Sequence, residues 1–271
     1  MATLVKADSP DVAISGAFET FRRRPVTLLL TAATMASMTL GALIMLVVAL
    51  VTLFQARRFY TEVMARSLAQ VILWLWGVRV EVHQAEPFPR TQTIYISNHT
   101  STLDPFVVVA LGLPKTRFFL YGPRRKIVPL GVIAHLMGTF FTSPQTDRAG
   151  RVRCFRRAER VLRRTGDCVY LSPEGERVTT GAIGHFNKGA FHLATSLGVP
   201  IVPFYIDIPR EMDPGIGLDV RPGTVRVHVM PAISTHHWKL KDLEGNKERV
   251  RDLFVTFQRE LRASRARVEV R

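Results

Sequence analysis

Cysteine is nearly absent: Cys154 and Cys168 are the only two in 271 residues. Two cysteines build neither a disulfide scaffold nor a cysteine-rich zinc module, and they suit a reducing compartment. Acidic residues are also scarce, 22 against 37 Lys and Arg, which leaves a formal net charge of +15. That excess favours anionic partners: nucleic acid, acidic lipid headgroups or phosphorylated substrates. The spacings that mark nucleic-acid readers are missing, however. There is no zinc-finger pattern, no RNA-binding aromatic signature and no helix-turn-helix. No internal repeat or low-complexity linker divides the chain. With 47% apolar and 22% charged residues, wholesale disorder is excluded.

The longest absence is of charge itself. No charged residue occurs from Pro25 to Ala56, and residues 26–54 read VTLLLTAATMASMTLGALIMLVVALVTLF. A transmembrane helix needs about 20 apolar residues. A secretory signal has an apolar region of only about 7–15 residues close to the start, so it fits poorly. As one helix the run measures ~43 Å at ~1.5 Å per residue, longer than a ~30 Å hydrocarbon core. Two geometries accommodate it: a tilted span, or a bend near Gly41 that enters and leaves on one side. Arginines at 22–24 and 57–58 flank both ends, and the positive-inside rule draws each end to the cytoplasm. A second apolar stretch, 71–78 (VILWLWGV), carries Trp74 and Trp76. It suits a membrane interface, and a buried helix of a soluble domain accounts for it equally.

Beyond residue 78 the texture changes. Residues 78–83, 93–97, 117–121, 168–171, 201–206 and 224–230 read as strands. Helical patterns at 105–113, 151–164 and 189–197 alternate with them, which argues for an α/β domain. In the 151–164 helix, Arg153, Arg156, Arg157, Arg160, Arg163 and Arg164 share one face, and Cys154, Phe155, Ala158, Val161 and Leu162 the other. The arginine face is either a solvated surface or, beside a bilayer, an attractor of anionic lipid. Val250, Leu253, Phe254, Phe257 and Leu261 predict a C-terminal amphipathic helix over 246–261, followed by a loose basic tail at 262–271. The expected organisation is a membrane-embedded helical region at 1–77, an α/β domain at 78–240, and a C-terminal helix and tail at 241–271.

The chemistry concentrates in two loops. Asn98-His99-Thr100-Ser101-Thr102-Leu103-Asp104-Pro105 follows a predicted strand and precedes a helix. A histidine serves as a general base near neutral pH when a partner such as Asp fixes its tautomer and stabilises the imidazolium. The spacing lets His99 and Asp104 meet. It equally fits a plain helix start, with Ser101-x-x-Asp104 as a capping box and Pro105 early in the helix. Ser172-Pro173-Glu174-Gly175-Glu176-Arg177 follows another strand. By itself it is a turn signal, but Arg177 offers bidentate bonds to a phosphate, assisted by backbone N–H groups around Gly175. Two weaker features read most simply as polar loops: His236-His237 beside Trp238, and Arg124, Arg125 and Lys126.

Taken together, these segments resemble the PlsC-like glycerophospholipid acyltransferase family. That family carries, in order, an N-H-x-x-x-x-D motif, a Phe-Pro-Glu-Gly-Thr-Arg motif and a Val-Pro-Ile/Val-Val/Pro motif. Here they stand as NHTSTLD (98–104), SPEGER (172–177) and VPIVP (199–203), with HFNKGAFHLA (185–194) similar to the family's Phe-Lys-x-Gly-Ala stretch. The resemblance implies a mixed central sheet flanked by helices, as in glycerol-3-phosphate acyltransferase-like folds, with an N-terminal membrane-embedded region. It implies transfer of a fatty acyl group from acyl-CoA or acyl carrier protein to a hydroxyl of a lysophospholipid, with 1-acylglycerol 3-phosphate the leading acceptor. By resemblance His99 is the general base and Asp104 its partner, while Glu174, Gly175 and Arg177 bind the acceptor. Asn98, Val199 and Pro200 belong to the structural parts of the motifs. No Gly-x-Ser-x-Gly elbow appears, and none is needed when the acceptor hydroxyl attacks directly. No metal or bound cofactor is implied, the acyl donor being a substrate. Membrane lipids with anionic headgroups are the expected partners, nucleic acid is not, and the expected place is the cell inner membrane with the domain on its cytoplasmic face. Two departures bear on the acceptor. Pro144 stands where the family often has an arginine that holds the phosphate, with Arg148 as a possible substitute, and Glu176 replaces a threonine. The rival class is a non-catalytic basic membrane adaptor.

Overall fold

The computed structural model describes residues 10–213 and 220–269, with side chains from 25 to 213 and 220 to 267. The arginines at 22–24 and the last basic residue therefore fall outside the described side chains. Seven strands form one sheet in the order β1-β7-β6-β2-β5-β3-β4. They are β1 (Val78–His83), β2 (Ile94–Ser97), β3 (Thr116–Tyr121), β4 (Phe140–Thr142), β5 (Cys168–Leu171), β6 (Ile201–Asp207) and β7 (Gly223–Val229). From β6 to β4 all neighbours are parallel. β7 runs antiparallel to β6 and parallel to β1, so the sheet is mixed.

Every residue of β2 (IYIS) and β5 (CVYL) is buried, as expected of strands covered on both faces. Alternate side chains feed two cores. Tyr95, Cys168 and Tyr170 pack with α1 (Pro10–Val51), α3 (Arg66–Leu75), α4 (Asp104–Ala110) and α5 (Val128–Leu136). Ile94, Ile96, Val169 and Leu171 pack with α6 (Arg148–Thr165), α7 (Gly189–Leu197) and α8 (Leu243–Glu269). Crossover handedness sorts the helices. Moving outward from β2 to β3 and β4 places α4 and α5 on one face. Returning inward from β4 to β5 and then β6 places α6 and α7 on the other. The six arginines of α6 are exposed as expected, but the sheet lies between them and α1.

The apolar run forms most of a single helix. α1 continues through Gly41 without a break; Gly41 is instead a contact, where a Cβ would come within 2.8 Å of Leu68 on α3. The chain reverses later, at Leu53 and Phe54, which both adopt left-handed φ of 49° and 60°. It returns antiparallel to α1 through α2 (Arg57–Phe59), a π-helical stretch (Tyr60–Ala65) and α3. The hairpin is pinned at one end by a bond from Trp76 Nε1 to Thr34 Oγ1 of 2.8 Å and at the other by the hydroxyls of Thr52 and Tyr60. The second apolar stretch is divided by side. Ile72, Leu73 and Trp76 are buried, whereas Trp74 is 75% exposed. Residues 262–269 are not a loose tail: α8 continues to Glu269, with Arg262 bonded to the Gly181 carbonyl and Arg265 paired with Asp207.

Candidate active site

Because β2 and β5 are parallel neighbours, the loops that follow them open at the same edge of the sheet, the edge where α/β sheets bind ligands. Asn98 is fully buried and anchors the first loop to β6. Its Nδ2 donates to the Ile206 carbonyl (2.9 Å) and its Oδ1 accepts from the Ile206 N–H (2.7 Å), as a backbone would. His99 is then held by its own main chain. Its N–H donates to Glu174 Oε2 at 2.6 Å, and its carbonyl accepts from the Val178 N–H at 2.8 Å.

The His99 side chain is 28% exposed, and its Nδ1 lies 2.7 Å from Asp104 Oδ2. The same oxygen accepts the N–H groups of Thr100 (2.8 Å) and Ser101 (2.9 Å). The helix start and the His99 contact coexist, since the Ser101 N–H bond to Asp104 is the reciprocal bond of a capping box. Leu103 occupies the cap position without a side-chain bond, while Ser101 Oγ accepts from the Leu103 N–H and donates to Asp213. Asp104 folds its loop and holds the imidazole with one oxygen. Its other oxygen is buried without a hydrogen bond.

Glu174 is 3% exposed and lies beneath His99. Its second oxygen, Oε1, accepts the Gly184 N–H at 2.8 Å. Both oxygens are therefore taken by main-chain donors, and burial pushes this carboxyl above its ordinary value despite them. Gly175 turns with φ of 74°, where a Cβ would come within 2.8 Å of Asn187 Nδ2. Asn187, which the sequence reading passed over inside HFNKGA, ties the turn together by donating from Nδ2 to the carbonyls of Pro173 (3.2 Å) and Glu174 (2.9 Å).

Arg177 is partly buried, and its Nη1 is shielded without a partner. Arg148 opens α6 and is exposed. Among the described residues neither it nor the exposed Glu176 makes an ion pair, and no hydrogen bond joins Arg148 to His99. Val199 and Pro200 lie at the other end of the strands. The Pro200 carbonyl accepts the Ile94 N–H at 3.0 Å, which sets β6 against β2. The exposed Arg124, Arg125 and Lys126 sit in a short 3-10 helix (Gly122–Lys126) at the carboxyl end of β3, the same edge as His99.

A mixed α/β sheet with a histidine–aspartate pair at the carboxyl ends of its parallel strands, braced by a buried glutamate, has the layout of an α/β group-transfer domain. Comparison narrows it. Residues 79–207 match the family model described as Acyltransferase. The 1-acyl-sn-glycerol-3-phosphate acyltransferase of Limnanthes alba is 27% identical over 191 residues, 68% of this chain and 65% of that protein. The alpha isoform from Bos taurus is 30% identical over 197 residues, covering 70% and 66%. The crystal structure of the 1-acyl-sn-glycerophosphate (LPA) acyltransferase PlsC from Thermotoga maritima superposes with a TM-score of 0.76 at 21% identity, over 90% of this chain and 98% of that one. The chain belongs to the PlsC-like acyltransferase family. It spans about 65% of the length of the first of these curated relatives.

Proposed function

We propose that this protein transfers a fatty acyl group from an acyl thioester, acyl-CoA or acyl carrier protein, to the free hydroxyl of 1-acylglycerol 3-phosphate. The observation that carries this reading is the His99–Asp104 bond of 2.7 Å in a loop whose imidazole reaches solvent. With Nδ1 donating to Asp104, Nε2 is left as the basic nitrogen. It takes the acceptor's hydroxyl proton as that oxygen attacks the thioester carbonyl, and Asp104 stabilises the imidazolium. Collapse of the tetrahedral intermediate breaks the C–S bond, and the departing sulfur takes the proton from Nε2. An ester and a free thiol result.

Arg177, with Nη1 unpartnered, fits the acceptor phosphate. Gly175 lets the main chain approach it, and Arg148 supplies further positive charge from the start of α6. Glu174 serves by fixing the His99 main chain. Asn98, Val199 and Pro200 fix the strands beneath. No metal or bound cofactor enters this scheme. The apolar helix 25–51, only 28% of whose most apolar stretch is buried, fits attachment to a membrane, and access to cytoplasmic thioesters fits the cytoplasmic face of the inner membrane.

Pro144 in place of an arginine and the exposed Glu176 support a second reading, the same chemistry on another acceptor such as a lyso-aminolipid or glycerol 3-phosphate. The test is esterification by the detergent-purified chain with labelled acyl-CoA, and then with acyl carrier protein, against a panel of these acceptors. His99→Ala is expected to lower turnover by about 10²–10⁴-fold with the fold retained. Preference for lysophosphatidate supports the first reading, and preference for another acceptor the second. No His99-dependent ester with either donor would leave the membrane adaptor in place of the enzyme.

A further inference from the structure

At the opposite edge of the sheet from His99, beneath the turn of the N-terminal hairpin, lies a second charged cavity. Asp167 precedes β5, whereas Glu174 and Arg177 follow it, so the length of that strand separates the two places. The cavity measures about 420 Å³, and its wall includes Gln55, Arg57, Arg58, Phe59, Arg117 and Asp167. Asp167 is 2% exposed and bridges two guanidinium groups, Arg57 at 2.7 Å and Arg117 at 2.8 Å. Arg117 also donates to the Gly138 carbonyl at 3.1 Å.

The charges do not balance. Three arginines face one carboxylate, and Arg57 Nη1 is buried with no hydrogen-bond partner. A buried charge-bearing donor left unpaired costs more than an ordinary missing bond. Burial and the neighbouring Arg117 push the Arg57 guanidinium below its ordinary value, which marks the same imbalance. Beside the cations, Leu53 (73% exposed), Phe54 (56%) and Phe59 (46%) present apolar surface to solvent. Cationic donors next to exposed aliphatic and aromatic side chains match an amphiphile with an anionic head.

We propose that this cavity binds the phosphate headgroup of an anionic lipid, with the guanidinium groups of Arg57 and Arg58 on the phosphate and an acyl chain along Leu53, Phe54 and Phe59. The site is separate from catalysis and holds the hairpin turn to the lipid surface. It does not depend on which acceptor His99 serves.

The test uses the full chain in a zwitterionic detergent, in an Arg177→Ala background that removes the main phosphate-binding side chain at the catalytic edge. Dihexanoyl phosphatidate, dihexanoyl phosphatidylcholine and inorganic phosphate are titrated while the melting temperature is read. A saturable rise with phosphatidate, small with the other two, is expected. Arg57→Gln should abolish it. Arg58→Gln, which lies outside the Asp167 bridge and keeps the fold, should weaken apparent affinity about fivefold. Arg156→Gln on α6 should leave it unchanged. An equal rise with inorganic phosphate would overturn the lipid assignment. An effect that never saturates, or that Arg58→Gln leaves intact, would overturn the site.

Discussion

Glu174 separates two roles that the second motif had joined. A side chain meant to touch the acceptor would keep an oxygen free, but both are committed to the N–H groups of His99 and Gly184. Glutamine accepts through one oxygen only and turns an NH₂ towards the other donor. Glu174→Gln is therefore expected to cost ~1–3 kcal/mol of stability and to lower kcat more than it raises KM. The pH dependence has a definite sign. Burial raises this carboxyl above its ordinary 4.5, so the folded state binds the proton more tightly than the unfolded chain. The contribution is full below 4.5 and declines as pH rises through the raised folded value. Urea unfolding should show the gap between the parent protein and Glu174→Gln narrowing with rising pH; a gap that widens would contradict the raised carboxyl. Of this site, His99, Asp104 and the Pro-Glu-Gly turn were legible in the sequence, because sharp turns and His–Asp spacings leave local marks. The contacts of Asn98, Asn187 and Gly184 were not, since each bond to a distant segment depends on strand order.

At the scale of elements, long periodic segments were legible and short or uniformly apolar ones were not. α7 and β5 stand where the pattern put them. β4 has three residues, and α5 (VPLGVIAHL) is apolar on nearly every side, so neither carries a usable period. The layer of each helix was hidden too, because crossover handedness acts only once the strands are ordered. The docking of α8 has a functional consequence. Arg251 donates from Nε to the Gly184 carbonyl at 2.7 Å and from Nη2 to that of Ile183 at 3.1 Å. The Gly184 N–H in turn holds Glu174, which holds His99. The C-terminal helix thus positions His99, the proposed general base, through one loop. Arg251→Ala should lower kcat about tenfold by loosening that geometry, with KM changed far less, and Arg251→Lys, which keeps a donor, should restore part of it. Equal effects on kcat and KM would point to general destabilisation instead.

At the scale of the molecule, the arginine face of α6 and the broad apolar surface of the hairpin lie on opposite sides of the sheet. α6 shows its arginines on one side of the sheet. On the other, Leu40, Leu43, Val47 and Leu50 of α1, Trp74 of α3 and Val128 of α5 are all exposed. Trp74 and Val128 lie towards the catalytic edge: α3 leads through Trp76 into β1, whose first residue pairs with Gly223 beyond the end of β6, and α5 begins beyond the end of β3. A bilayer on this face would meet apolar side chains along the length of the hairpin and would bring lipid substrates to the edge that holds His99. Attachment should then follow apolar contact rather than the arginine helix. At ~1.5–3 kcal/mol per fully buried large side chain, Leu43→Ser with Val47→Ser should reduce partitioning onto phosphatidylcholine vesicles at least tenfold in flotation. Arg156→Gln with Arg160→Gln should leave it nearly unchanged. Tryptophan emission should shift to the blue on vesicle binding, and the shift should largely vanish in Trp74→Phe, because Trp76 is already buried and Trp238 packs on the other face of the sheet. Retained flotation by the serine pair, together with loss in the arginine pair, would turn the docking face over and place the α6 side of the sheet against the lipid.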